Sequence, residues 1–126
     1  NLSTNLIGDN IGVPCAEMLK TNTTLKQLNI GENYLGSKCC KEIFSALENN
    51  TTLTNLEFYC NRLDQVGAIA IASLLNKNTT IIELNIGSNF NKDEDNSIIA
   101  RALETNTVLL SLWMNNNHID TYSLVL

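Results

Sequence analysis

Residues 22–36 read NTTLKQLNIGENYLG, and the phrase returns as NTTLTNLEFYCNRL at 50–63 and NTTIIELNIGSN at 78–89. Taking Leu28 as an anchor, Leu56, Leu84 and Leu112 follow at steps of 28. Two residues on stand Ile30, Phe58, Ile86 and Met114, with Leu2 at the same position one copy earlier. Five residues after each anchor comes an asparagine: Asn33, Asn61, Asn89 and Asn117, with Asn5 in the earlier partial copy. A second asparagine column runs Asn22, Asn50, Asn78 and Asn106. A fixed period of this length marks a stacked solenoid, because one unit cannot bury its own apolar face and must lean on the next.

Within a unit, Leu25-x-x-Leu28-x-Ile30 ends in an apolar–polar alternation and predicts a short strand. Leu28 and Ile30 point to one face, Gln27, Asn29 and Gly31 to the other. Asn33 follows, and its amide carries both donors and an acceptor. Repeated at one level of every unit, such an amide can satisfy backbone groups that the turn leaves open. Leu35 then returns to the core. A helix comes next: Ala68, Ile71, Ala72 and Leu75 recur at i, i+3, i+4 and i+7, as do Cys40, Ile43, Phe44 and Leu47. Ser37 and Asp64 are candidate caps. Pro14 predicts that the first helix begins late, since proline is tolerated only near a helix start. Asn22, Asn50, Asn78 and Asn106 are expected to end the helices, where asparagine can take the left-handed conformation. Strand, helix and parallel strand make a right-handed β–α coil. Helices are wider than strands, so the stack is expected to bend into an arc, its sheet concave and its helices convex.

At 126 residues the chain reads as a single array of about four and a half units. It starts and stops within a unit and carries no polar capping unit, which reads as an excerpt of a longer array. The net charge of −5 argues against a nucleic-acid footprint, and no apolar run approaches a membrane span. Cys15, Cys39, Cys40 and Cys60 fit no zinc or redox spacing. They read as reduced thiols, and with them an intracellular, cytoplasmic setting. His118 is the single histidine, so no histidine pair exists for a metal. Asp93-Glu94-Asp95 lacks the glycine and distal glutamate of a calcium loop and reads as a helix start. Asn22, Asn50 and Asn78 each open an Asn-Thr-Thr glycosylation sequon, but at one repeat position, which favours a structural role.

The phrase Asn-Thr-Thr-Leu-x-x-Leu-x-Ile-x-x-Asn-x-Leu-Gly, with a helix behind it, resembles the leucine-rich repeat of the ribonuclease-inhibitor type. The resemblance covers nearly the whole chain. It implies an α/β fold: a horseshoe solenoid with a parallel sheet inside and helices outside. Arrays of this type, including ribonuclease inhibitor, innate-immunity receptor sensors, the Ran GTPase-activating protein and the tropomodulin C-terminal region, present a surface to another protein. It therefore implies a protein-binding module, with regulation of a small GTPase or scaffolding of a large assembly as alternatives. No residue matches a catalytic signature, so the chain reads as a non-enzyme without cofactor or metal. One departure stands out. Asn91 replaces the core residue Leu35, Leu63 or Ile119, and Lys92 to Asp95 makes that connection charged, so a looser coil is expected there.

Function in such an array sits where the pattern leaves the residue free. The concave rows are Gln27, Asn55, Glu83, Ser111; Asn1, Asn29, Glu57, Asn85, Trp113; and Ser3, Gly31, Tyr59, Gly87, Asn115. Leu6, Tyr34, Arg62, Phe90 and His118 sit at the strand ends. Candidate contacts are Tyr59, Trp113, Arg62 and Asn115, because aromatic side chains and arginine dominate binding hot spots. Glu57 and Glu83 tint the face negative and favour a basic protein partner. Asn5, Asn33, Asn61, Asn89 and Asn117 are read as a structural ladder, and the array as a monomer.

Overall fold

The computed structural model describes residues 1–90 and 92–117. A short 3-10 turn at Asp9–Ile11 leads into α1 (Gly12–Thr21), β1 (Gln27–Asn29), α2 (Ser37–Leu47) and β2 (Asn55–Glu57). Then come α3 (Gln65–Lys77), β3 (Glu83–Asn85), α4 (Asp93–Leu103) and β4 (Ser111–Trp113). The strands form one parallel sheet in the order β1-β2-β3-β4, and each helix packs on its sequence neighbours. The register is that of the repeat: Leu28 lies beside Leu56, Leu56 beside Leu84 and Leu84 beside Leu112. The fold is therefore mixed α/β, with helices alternating with the strands of one sheet.

The core lies between sheet and helices. The middle strand residues Leu28, Leu56 and Leu84 are buried, as are Ile30, Phe58 and Ile86 behind them, while Leu112 on the last strand is half-buried. From the helices come Leu19, Ile43, Phe44, Leu47, Ile71, Leu75 and Ile99. Phe44 and Phe58 meet with ring centroids 5.2 Å apart, joining helix to strand across adjacent units. Cys15, Cys39 and Cys40 are buried and free, and Cys60 is exposed and free. Burial pushes the Cys15 thiol up to about 11 and that of Cys39 to about 12, so both act as small neutral hydrophobes at ordinary pH.

The first helix starts late, as Pro14 requires. Ser37 opens α2, but its equivalent Asp9 opens only the 3-10 turn, and α1 begins at Gly12. Pro14 then falls in the first helical turn, where an amide hydrogen would have no partner within the helix. Asp64 caps α3 by accepting from Val66 N (2.8 Å) and Gly67 N (3.4 Å). Ser37 is not a cap. Its hydroxyl bridges units instead, donating to Asp64 Oδ1 at 2.5 Å and accepting from Asp64 N at 2.9 Å. Those bonds hold the Asp64 carboxyl below its usual range.

Two asparagine ladders tie the units together. Asn61 Oδ1 accepts from Asn33 N (3.1 Å) and Leu35 N (3.0 Å) of the preceding unit. Its Nδ2 donates to Ile30 O (3.2 Å) and Phe58 O (3.1 Å). Asn33, Asn89 and Asn117 repeat the arrangement and are buried, whereas Asn5 in the first unit is exposed. The second ladder works below the strands. Asn50 Nδ2 donates to Leu19 O (2.9 Å), and its Oδ1 accepts from Thr52 N and Leu53 N. Asn78 does the same one unit later. Asn22 and Asn78 cap α1 and α3 with extended backbone (ψ 127° and 139°), not the left-handed conformation expected of them. The side chain makes the turn, so the backbone need not.

The left-handed backbone lies elsewhere, at Thr4, Glu32, Cys60, Ser88 and Asn116, one place before each ladder asparagine. There the chain leaves its strand so that the next side chain points inward. The cost of about 1–2 kcal/mol per residue is offset by a bond between units: Glu32 N donates to Tyr59 O, Cys60 N to Gly87 O and Ser88 N to Asn115 O.

The fourth unit corrects one expectation. Asn91, where a looser coil is expected, lies outside the described residues. Phe90, expected on the surface at a strand end, is only 1% exposed. Its N–H donates to Asn117 Oδ1 at 3.0 Å, as Leu35 N does to Asn61 Oδ1 one unit apart. Phe90 is thus a core residue, as Leu35 and Leu63 are.

Asp95 is the anomaly of this unit. It occupies the buried position of Cys39 and Gly67 and is 2% exposed, with no hydrogen-bond partner for Oδ1 among the described residues. Burial raises its pKa, with Asp64 and Glu94 adding to the effect and Lys92 opposing it. A raised folded-state pKa means the native state holds the proton more tightly. Stability is then lost as pH climbs from the ordinary carboxylate value through the raised one. Asp95→Ala is expected to be more stable than wild type at pH 7, by about 1 kcal/mol. Urea melts from pH 7 to pH 4 should show that advantage shrinking; a destabilised variant at pH 7 would contradict it.

Candidate functional site

The side chains of each strand that do not enter the core form the open face of the sheet. On β2 these are Asn55 and Glu57, with Tyr59 just beyond; on β3, Glu83 and Asn85, with Gly87 beyond. The register puts Asn55 beside Glu83 and Glu57 beside Asn85. The two carboxylates thus lie on a diagonal, their backbones about 8 Å apart from strand spacing and rise. Each is held by the amide across from it. Asn85 Nδ2 donates to Glu57 Oε2 at 2.8 Å, and Asn55 Nδ2 donates to Glu83 Oε2. Thr54 Oγ1 donates to Asn55 Oδ1 (2.7 Å) and so orients that amide. Neither glutamate has an ion-pair partner among the described residues.

Beside them lies a hollow of about 400 Å³, lined by the amides of Asn1, Gln27, Asn29 and Asn55 and by Glu57 and Glu83. It is open and polar, unlike the enclosed apolar pocket that a small substrate prefers. Tyr59 is half-buried. Its ring lies over Gly31, where a β-carbon would come within 2.5 Å of Cε1. Asn115 lies over Gly87 in the same way, its Oδ1 at 2.8 Å from that β-carbon position. The two glycines are therefore places where a neighbour's side chain lies flat. Trp113 on β4 is 43% exposed.

Five of the six candidate contacts therefore share this face: Glu57, Tyr59, Glu83, Trp113 and Asn115. Arg62 does not. It sits in the connection after β2, with its guanidinium carbon 4.3 Å from the centre of the Tyr34 ring. Tyr34 and Leu6 of the preceding unit line one shallow hollow at this edge, both with positive φ (59° and 54°). The pattern of residue types carried no sign of that strained edge. His118 lies outside the described residues. Among those residues no three His, Cys, Asp or Glu side chains converge as metal ligands, and no helix is long and apolar enough to cross a membrane.

The helix side carries a different surface. A groove of about 260 Å³ runs between α2 and α3, bounded by Lys41, Glu48 and Ser73. Val66 and Ile69 stand in it, 48% and 54% exposed. Glu48 is fixed by Lys77 Nζ at 2.8 Å and by Ser73 Oγ at 2.6 Å. Those bonds draw its carboxyl below the usual range against the opposing effect of burial.

No protein-family model matches the chain, and no curated protein matches it. The fold is similar to the solved structure of leiomodin-1 actin-binding site 2, with a TM-score of 0.79 and 28% sequence identity. The match covers 85% of this chain and 63% of that one, so this chain spans less than two thirds of its length.

Proposed function

We propose that the chain is a leucine-rich-repeat array of the ribonuclease-inhibitor type, a right-handed β–α solenoid that binds a protein partner on the open face of its sheet. The observation that carries this reading is the face itself. It is polar, unenclosed and amide-braced, and it presents Tyr59 and Trp113 at fixed positions. Such preorganisation lowers the ordering cost of association. The likeness to an actin-binding site supports a protein as partner and makes actin the first to test. The reading assigns no catalytic step and no cofactor.

Binding of the chain to monomeric actin, measured by biolayer interferometry beside pull-down from native extract, tests it. The Tyr59→Ala/Trp113→Ala variant is expected to weaken the contact on the order of tenfold or more. Retention of the same partners at unchanged affinity would move the contact off the sheet. The apolar groove between α2 and α3 supports one other reading, that of a scaffold engaged through its helices. In that case Ile69→Lys would abolish binding while the sheet variants would not.

A further inference from the structure

We infer that the partner meets the open face with a basic segment whose cationic side chain seats at Glu57 and Glu83. This deepens the reading of that face as the contact and rests on it. Charge is segregated across the molecule. All eight Lys and Arg residues lie on helices or connections: Lys20 on α1, Lys38 and Lys41 on α2, Lys77 on α3, Arg101 on α4, and Lys26, Arg62 and Lys92 between elements. The open face carries none of them, only two carboxylates among amides.

Two helix-side acids have local cationic partners: Glu17 pairs with Lys20 at 2.9 Å and Glu48 with Lys77 at 2.8 Å. Glu57 and Glu83 have amide partners instead, which orient a carboxylate but leave its charge uncompensated. Both are half-buried at the hollow, where the field of each is screened less than on an open surface. A guanidinium or ammonium placed between them would accept both fields. Its donors would find further acceptors in the side-chain carbonyls of Asn1, Gln27 and Asn29 that line the rest of the hollow. Tyr59, two residues past Glu57 and just beyond the end of β2, supplies a ring that a neighbouring cation can approach. An acidic or neutral segment would meet two fixed, like or unrewarded charges at the same place.

The test uses fluorescence anisotropy with a labelled Arg-Gly-Arg-Gly-Arg peptide and its Glu-Gly-Glu-Gly-Glu counterpart. Glu57→Gln/Glu83→Gln removes both charges yet keeps an oxygen for Asn55 and Asn85, so an unchanged melting curve is expected. Wild type should bind the arginine peptide and not the glutamate one. The sheet variant should lose about tenfold in affinity. Glu42→Gln/Glu104→Gln, which removes equal charge from exposed helix-side positions, should lose less than about twofold. Equal losses in the two variants would reduce the effect to net charge and overturn the inference. With the native partner, loss in Tyr59→Ala/Trp113→Ala but not in Glu57→Gln/Glu83→Gln would overturn the basic segment and leave the face reading standing. Loss in neither would overturn both.

Discussion

Leu56→Ala is expected to lower the free energy of unfolding by about 2–5 kcal/mol, the range for emptying a leucine site in a packed core. The high end of that range applies where neighbours cannot move in to fill the space. Leu56 is 1% exposed and sits on an interior strand, flanked in register by Leu28 and Leu84. Both flanking leucines are held by their own strands, so the site cannot collapse from either side. Leu112 is the internal control. It holds the same repeat position on β4, is half-buried and has a described strand on one side only. Leu112→Ala should therefore cost clearly less. Urea melts of the two variants measure the gradient; equal losses would show that burial within the unit, and not stacking between units, sets the energy.

Asn61→Ala comes second, at about 3 kcal/mol. The substitution takes an acceptor from Asn33 N and Leu35 N and a donor from Ile30 O and Phe58 O. A buried group left without its partner costs about 1–3 kcal/mol, and not all four recover one by relaxation. Asn61→Asp separates the two halves of the amide. It keeps the acceptor, loses the donor and brings a buried charge, so it should be no better than alanine. Asn5→Ala should be close to neutral, because the Asn5 side chain donates only to Leu2 O and Ser3 O at an exposed position, and its backbone bond to Asn33 Oδ1 survives the substitution. If Asn61→Ala melts like wild type, the ladder contributes nothing measurable and the apolar columns alone hold the units together.

The core columns and the inner asparagine ladder were legible because each rests on one side chain recurring at one interval. Leu28, Leu56 and Leu84, or Asn33, Asn61 and Asn89, need nothing from context to be recognised. Pro14 was legible as a delay for a similar reason, since its ring acts wherever it stands. What escaped depends on relations between units. Phe90 stands at a position read as a strand end, and its burial and the bond from its N–H to Asn117 Oδ1 are what place it in the core. Left-handed backbone at Glu32, Cys60 and Ser88 is invisible in residue types that do not favour it; the bonds between neighbouring units impose it. The open face was legible as a set of rows. The bracing of Glu57 by Asn85 and of Glu83 by Asn55 was not, because a row shows which residues are neighbours and not which of them bond.

The arrangement of neighbours also bears on how such a chain folds and how its length changes. Each strand pairs with, and each helix packs on, the element one repeat away, and the ladder bonds span 26, 28 or 31 residues. Closing such a loop carries nearly the same entropy loss at every unit, however long the whole chain is. Folding can therefore nucleate at any adjacent pair and spread outward, with no single long-range closure to wait for. Whole units of 28 residues can be gained or lost in register while the remaining interfaces stay as they are. An insertion of any other length inside a unit would set Leu28-type and Asn33-type positions out of step with their neighbours and break two ladders at once.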